Sequence, residues 1–570
     1  MAKGYRPVDR DQEFLLPPNM GDWLPDGHLA WFVIDTVAEM DISVFLERAA
    51  RCRDGQARRN AAGRAAYDPV MLLALLLYAY VCGERSSRRI ERLCTTDVAF
   101  RLICAQDAPD HTVISRFRQA HLEAFAEVFA AVLRLCRAAG LARLGTVAID
   151  GSKIPANASM QANRGAQWLR DQVATMDTED AAATNRATDR DADRDVVEQI
   201  LAEAERVDQA EDAAYGAGVR GDELPPSWHG RAGRRQRIRA ALAKVEAAET
   251  ARRAEQARQQ AERAHKDAAK LAEAEQALAT ELAAREAARD AWETRWEHAM
   301  AHPGVPLPRG RAPVGPEQSV QVARARDRVA KARDRVEHPD TAPRPGGYRR
   351  RSGTEQPGSA PRSGRGQRAR RGRRDPEQPP AANLTDPDSA IMPLKNNGWG
   401  QCYNGQLAVS QDHFIVVVDV STNPADITSY QPMVTKTEQT AADLHAADEL
   451  GTLLLDTGYC SDDTLAAPGP DRLIATGKSR SIRQAARDNP TTGPPPEGVS
   501  PREAMDHRLR TPEGSKLYTR RGATVEPTIG NLKKIINRFS LRGLAAVTAE
   551  AHLAAAAFNL GKLHRATATA

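Results

Sequence analysis

The chain has 570 residues, more than one hydrophobic core accommodates, so several domains are expected. Lys and Arg number 80 against 75 Asp and Glu, a balance that excludes reading a partner from net charge and shifts attention to local basic runs. Seven scattered cysteines without a CxxC pair exclude a disulfide framework or a zinc ribbon and suit a reduced cytoplasm. The N-terminal MAKGYRPVDRDQEF carries no secretory apolar stretch, and the greasiest run, Val70 to Cys82, is too short to cross a bilayer; a soluble protein with no membrane part is expected.

From about Asp26 to Gly140 apolar residues recur at helical spacing, as in HLAWFVIDTVAEM, DPVMLLALLLYAY and FAEVFAAVLRLC, with breaks at Gly83, Pro109 and Gly140. This predicts an all-α domain. Two shorter segments within it, GERSSRRIERLC and DHTVISRFRQAH, carry Arg85, Arg88, Arg89, Arg92, Arg116 and Arg118. Two readings stand for these arginines: phosphate tracking, as in helix-turn-helix modules, or a solvated helix face.

GTVAID, ending at Asp150, is a short apolar, β-branched run between two glycines and predicts a strand that closes on a carboxylate. For roughly two hundred residues thereafter Ala, Arg, Glu and Asp dominate, the composition of an insertion rather than a core. Within it Ala257, Ala261, Ala264, Ala268, Leu271, Leu278 and Leu282 alternate spacings of four and three, a weak seam along one side of a long helix. Pro, Gly and Arg take over from Pro303 to Pro380, and PRSGRGQRARRGRR lacks any acidic residue. Such a tract is expected to be disordered alone and to gain affinity for nucleic acid by counterion release; the plain alternative is a soluble linker.

Regular patterning resumes after Asn383. GQLAVS and HFIVVVDVS predict an antiparallel hairpin, GTLLLD and DRLIAT two further buried strands, and VEPTIGNLKKIINRF and AVTAEAHLAAAAFNLGKL helices, with Pro527 in a first turn. Two strands thus end in aspartate, Asp150 and Asp456, each followed by Gly or Thr-Gly. The carboxyl ends of strands form the working edge of α/β sheets, so the two acids can converge there. Glu526, read as opening a helix among Tyr518, Arg520, Arg521, Lys533 and Lys534, is the candidate third acid. Three carboxylates suit hard oxygen-seeking ions, Mg²⁺ or Mn²⁺, and two such ions clamp an in-line phosphoryl displacement. Taken singly, an aspartate after a strand is as readily a turn former or helix cap.

The wording around the acids is more specific. YDPVMLLALLLYAYVCGERSSRRIERL with PDHTVISRFR, AIDGSKIPANAS, NLTDPDSAIM with GWGQCYNGQLAV, LLLDTGYCS and YTRRGATVEPTIGNLKK together resemble insertion-sequence DDE transposases of the long-insert bacterial type, nearly end to end. The resemblance implies a ribonuclease-H-like mixed sheet flanked by helices, an α/β or α+β core, preceded by an all-α domain and interrupted by a long helical or disordered insertion. It implies residues 1–140 as a helical DNA-binding domain, 141–160 as the first part of the catalytic core, 161–300 as a charged helical insertion, 301–382 as a Pro/Gly/Arg-rich linker and 383–570 as the rest of the core.

By the same resemblance Asp150, Asp456 and Glu526 hold two Mg²⁺ or Mn²⁺ ions, while Arg88, Arg89, Arg116, Arg118, Tyr518, Arg521 and Lys533 face DNA. The implied activity is metal-dependent cleavage of transposon ends and strand transfer to target DNA by a homodimer in the bacterial cytoplasm. The familiar Tyr-x2-Arg-x3-Glu-x6-Lys spacing is departed from: four residues separate Arg521 from Glu526, which leaves Arg520 and Arg521 as rivals for the arginine. A nuclease of the same fold that cuts without joining, and a decayed protein that only binds DNA, are the alternatives. Nothing resembles a phosphate-cradling glycine loop, so ATP is not implied.

Overall fold

The computed structural model describes residues 19–45, 67–183, 230–302, 305–339, 380–394 and 398–568. The chain opens with six helices: α1 (Leu29–Glu39), α2 (Pro69–Val81), α3 (Ser87–Thr96), α4 (Val98–Ile103), α5 (His111–Ala120) and α6 (Ala124–Ala138). Their ends follow local chemistry. Asp68 accepts from the Val70 amide with Pro69 in the first turn, and Asp110 accepts from the Thr112 amide. Gly83 and Gly140, with φ of 81° and 76°, take the left-handed conformation that stops α2 and α6. Because α2 is apolar all round it is buried all round, every residue from Leu72 to Tyr80 lying inside.

The remaining elements, in order, are β1 (Thr146–Pro155), β2 (Asn163–Gly165), α7 (Ala166–Ala183), α8 (Gly230–Ala301), α9 (Val320–Glu337), β3 (Ala381–Asn383), β4 (Ala390–Pro393), β5 (Trp399–Ser410), β6 (Ile415–Ser421), α10 (Tyr430–Asp443), β7 (Thr452–Leu455), α11 (Asp462–Ala466), β8 (Arg472–Ile474), α12 (Ser479–Asp488), α13 (Pro501–Arg510), α14 (Pro512–Ile535) and α15 (Leu544–Ala568). The main sheet runs β4-β5-β1-β7-β8, with β6 also on β5. β5 pairs antiparallel with β1, β4 and β6, whereas β1, β7 and β8 run parallel. The β5–β6 hairpin and the two buried strands expected from the sequence are all present.

Two boundaries differ from expectation. β1 does not stop at Asp150 but runs on to Pro155, because the long β5 continues to pair with it from Val147 to Pro155 after β7 has ended. Glu526 does not open a helix: α14 begins at Pro512, after Thr511 whose side chain caps the Gly514 amide, and Pro527 lies in its interior. Pro527 withdraws one hydrogen bond from the Ala523 carbonyl, and the helix tolerates it because its other face is packed on the sheet through Val525, Ile529 and Leu532.

One hydrophobic core joins the N-terminal helices to the sheet. α15 provides the join: Ala554, Ala555, Ala556 and Ala557 are fully buried, small enough for the helix to sit close to both its helical and its sheet neighbours. The described residues of 1–245 and 367–570 form one compact unit and those of 246–366 a second. At the root of the insertion, in the first unit, Lys244 Nζ donates to the carbonyls of Pro387, Asp388 and Ser389 at 2.7, 2.8 and 2.8 Å. In the second unit Val322, Ala325, Val329 and Ala332 form the buried stripe of α9, and Arg333 pairs with Glu275 at 2.9 Å. The seam residues lie on α8, with Ala257, Ala261, Ala264 and Ala268 exposed and Leu271, Leu278 and Leu282 half-buried. The arginine tract at 361–374 lies outside the described residues. No described helix is long and apolar enough to cross a membrane.

Candidate active site

Parallel pairing sets the geometry. Ile149 of β1 stands beside Leu455 of β7, so the next residue of each strand, Asp150 and Asp456, falls level with the other at the centre of the sheet. Asp150 stays in β1 and accepts from the Gly151 amide at 2.9 Å. Asp456 leaves β7 to cap the short turn Thr457–Tyr459, accepting from the Gly458 amide at 2.8 Å. α14 lies across this point. Its Tyr518 is buried and donates its hydroxyl to the Leu455 carbonyl at 3.2 Å, and one turn later the buried Arg521 extends Nη2 to 3.0 Å from Asp150 Oδ1 and 3.6 Å from Asp456 Oδ2. Arg520 is exposed, so of the two rival arginines Arg521 is the one that meets the acids.

Burial pushes the Asp150 carboxyl up to about 6; Arg521 opposes the rise, Asp456 adds to it, the Gly151 amide opposes it and Asp426 adds again. Burial also raises the Tyr518 hydroxyl to about 12, keeping it a neutral donor.

Strand alternation divides the surroundings. Asp150, Ser152 and Ile154 share the face of β1 that α14 covers, where Ser152 and Ile154 line a small cavity with Ile529, Leu532 and Lys533. Gly151 and Lys153 belong to the opposite face, and there Asp426, in the turn Asp426–Ser429, accepts at Oδ1 from Lys153 Nζ (2.9 Å), Asn404 Nδ2 (2.8 Å) and Gln406 Nε2 (3.0 Å). Burial acts to raise the Asp426 carboxyl, but the hydrogen bonds from Asn404, Lys153 and Gln406 outweigh it and hold the group below its ordinary value. Gln406 in turn accepts from the buried Tyr459 hydroxyl.

Both glycines that follow the aspartates are required by space. A Cβ on Gly151 would sit 2.4 Å from Asp426 Oδ1 and 2.5 Å from Gln406 Nε2; one on Gly458 would sit 2.9 Å from Asp456 Oδ1 and 3.2 Å from Asp426 Oδ2. The Asp-Gly and Asp-Thr-Gly wording therefore reflects acids crowded by their own neighbours.

The remaining residues singled out by sequence fall as follows. Glu526 is exposed on α14, its Oε1 reaching back over Gly522, and among the described residues it forms no hydrogen bond or ion pair. It does not join Asp150 and Asp456 in a group of three ligand atoms within 4.8 Å; among the described residues such a group consists of Glu91, Asp110 and His111, in the N-terminal helices. There His111 Nδ1 is 2.8 Å from Glu91 Oε2 while Asp110 caps α5.

Lys533 is half-buried beside Ser152. Arg88, Arg89 and Arg116 are exposed, with Arg89 paired to Glu84 at 2.6 Å. Arg118 is buried, not presented to solvent: Nη1 donates to the Arg85 carbonyl at 2.7 Å and to the Tyr80 hydroxyl at 3.3 Å. Sequence reasoning missed Asp426, Lys153, Asn404, Gln406 and Tyr459. Asp426 follows a Ser-Thr-Asn-Pro-Ala loop and not a strand, so no strand-end signal marks it.

Residues 19–120 match a family profile described as a transposase domain (DUF772), and residues 494–564 match one described as a transposase DDE domain. No curated protein and no solved structure matches the chain. The first profile covers α1 to α5, and the second covers α14 with Tyr518, Arg521 and Glu526 together with most of α15. Two separated stretches of the chain thus match transposase domains, one N-terminal and one C-terminal, and both support an insertion-sequence DDE transposase.

Proposed function

We propose that the chain is a metal-dependent DNA transposase that cuts the ends of its element and joins them to target DNA, with Asp150, Asp456 and Glu526 as its metal-holding acids. The observation that carries this reading is the level pair Asp150 and Asp456 on adjacent parallel strands, gathered around one buried cation, Arg521. A guanidinium already holds the place between the two carboxylates, and an all-oxygen donor set suits Mg²⁺ or Mn²⁺. Asp150, Asp456 and Glu526 would hold two such ions, which would supply activation of the attacking oxygen and stabilisation of the leaving one in an in-line displacement.

The roles of the side chains follow from their faces. Asp426 already receives three donors and lies on the sheet face away from α14, so it orients the β1–β5 backbone beneath Asp150. Glu526 lies on α14, the element that covers Asp150, and is uncommitted, which supports it as the third acid. Arg521 neutralises the acids, and Tyr518 fixes α14 against the end of β7. The exposed Arg88, Arg89 and Arg116, with Lys533 beside the site, supply phosphate contacts. The strand order β6-β5-β1-β7-β8, antiparallel on one side of β1 and parallel on the other, supports a ribonuclease-H-like core. Paired cutting of two element ends requires two active sites, hence a homodimer.

The test is incubation of the full chain with end-containing DNA and Mg²⁺ or Mn²⁺, scoring nicks and joined products separately. Cleavage and joining by the parent, lost in Asp150→Ala, Asp456→Ala and Glu526→Ala, is the expected result. Cleavage without joining would assign a nuclease of the same fold, and variants as active as the parent would overturn the site.

A further inference from the structure

A groove of about 640 Å³ opens along the C-terminal half of α14, lined by three cations, Lys534, Lys562 and Arg565, and, among the described residues, by no acidic side chain. Asn531 and Lys534 on α14 are three residues apart, and Phe558, Lys562 and Arg565 on α15 follow at four and then three, so each helix turns one face to the groove. The floor is held in place. A Cβ on Gly561 would lie 2.9 Å from Val81 Cγ1, so at the present approach of α15 to α2 a side chain at 561 would force a shift. Lys562 donates to the Asp412 carbonyl and passes 4.4 Å from the Phe414 ring centre, which fixes its stem. At the rim His413 takes a left-handed φ of 64° in the β5–β6 turn and donates Nδ1 to the Thr524 carbonyl at 3.1 Å, tying the hairpin to α14 one turn before Pro527.

We propose that this groove seats the phosphodiester backbone of the bound DNA strand at a distance from the reacting phosphate, an inference that rests on the DNA-transposase reading. Cations with apolar stems over an apolar floor, in an open channel free of carboxylates, suit an extended polyanion more than a small anion, which needs converging buried donors. Glu526 and Lys534 are eight residues apart on one helix, roughly 12 Å at 1.5 Å per residue. A separation of that length places Lys534 at a different phosphate of the strand, a few nucleotides at most from the one at Glu526.

The experiment is equilibrium binding of the full chain to end-containing duplex DNA in metal-free buffer over a salt series. Lys534→Gln with Arg565→Gln is compared with Lys266→Gln with Lys331→Gln, two exposed lysines of the insertion. Loss of two phosphate contacts lowers the slope of log affinity against log salt by about 1.8, so raising salt from about 50 to about 200 mM costs the groove variant roughly tenfold less than the parent. The insertion pair keeps the parental slope, as does Lys534→Arg with Arg565→Lys, which preserves both charges. A parental slope in the groove variant overturns the proposal while DNA binding by the parent stands. An equal fall in both neutralised pairs overturns it as well, since charge anywhere would then serve. A parental slope accompanied by lost binding of polyglutamate reassigns the groove to an acidic peptide. A parent that binds no DNA removes the functional reading itself.

Discussion

The guanidinium of Arg521 stands 3.0 Å from Asp150 inside the protein, and the same nitrogen is 3.6 Å from Asp456, so one cation serves two acids that have no other ion-pair partner among the described residues. Removing it leaves two neighbouring carboxylates with no cation between them. Breaking a buried ion pair from one side costs about 3–5 kcal/mol. Arg521→Gln is therefore expected to lower metal-free stability by about that amount at pH 7 and by clearly less at pH 5, where Asp150 accepts a proton. Urea unfolding in chelator at the two pH values measures this, and equal losses at both would show that Arg521 does not act through the acids.

Asp150 makes the opposite prediction. Its folded carboxyl is raised from 3.8 to about 6, chiefly by burial. The folded state then prefers the protonated acid, so this group's stabilising contribution is complete below about pH 3.8 and is lost as pH rises through about 6. Above that the ionised group costs up to about 3 kcal/mol, at 1.36 kcal/mol per unit. Asp150→Asn keeps the shape, leaves Arg521 paired with Asp456 and is expected to be about 1–3 kcal/mol more stable than the parent at pH 7 without metal, the curves converging near pH 4. Unfolding midpoints between pH 4 and 8 check it, and an Asn variant less stable throughout would contradict the buried-charge account. Its cleavage activity is expected to be abolished.

The legible part of this site was what strand pattern and local wording encode. The runs ending at Ile149 and Leu455 are short and apolar, and their pairing brings Asp150 and Asp456 level. The end of β1 was illegible because it depends on a partner: Ser152 to Pro155 look like loop, yet β5, more than two hundred residues later, holds them extended. The start of α14 lies well before the first turn that Pro527 suggests, because tertiary packing of Val525 and Ile529 carries the helix through the proline. Asp426 was invisible since its role arises from three donors on two strands. Arg118 resembles its exposed neighbour Arg116 in sequence, and only packing against Tyr80 separates them.

Gly151 tests the crowding directly. Its φ is not in the left-handed region, so only space excludes a side chain, and an added methyl would meet the Asp426 carboxylate and the Gln406 amide. Gly151→Ala is expected to cost about 1–3 kcal/mol by overpacking and to reduce cleavage well beyond that loss of stability, because Asp150 shifts with its strand. Gly522→Ala is the contrast: its nearest neighbour is Glu526 Oε1 at 3.5 Å, an ordinary contact, and replacing a mid-helix glycine is expected to add about 1 kcal/mol. Similar stability losses in both variants would refute the steric argument.

The last prediction separates the two readings of the N-terminal arginines. Arg85 Nη1 lies 3.1 Å from Glu550, a fully buried carboxylate of α15 that also accepts from the Ser540 and Leu541 amides at 2.9 and 3.0 Å. Arg118 donates to the carbonyl of Arg85, so a chain of contacts runs from α5 through Arg85 to α15 and fastens the helical segment to the sheet. Removing the acid leaves the two amides and the Ser540 hydroxyl without this acceptor. It also takes from Arg85 its one carboxylate partner among the described residues, though Arg85 keeps the Arg538 carbonyl and Asn537, and Glu550→Ala is expected to cost about 3–5 kcal/mol. Arg85→Ala and Glu550→Gln should be non-additive by about 1–3 kcal/mol, since the two residues share one contact. Arg118→Ala should destabilise the fold and leave the salt slope of DNA binding at the parental value, whereas the exposed Arg116→Ala should lower the slope and leave stability unchanged. Urea unfolding and salt-dependent binding on the same variants decide it: a lowered slope in Arg118→Ala with native stability would return that arginine to the DNA surface.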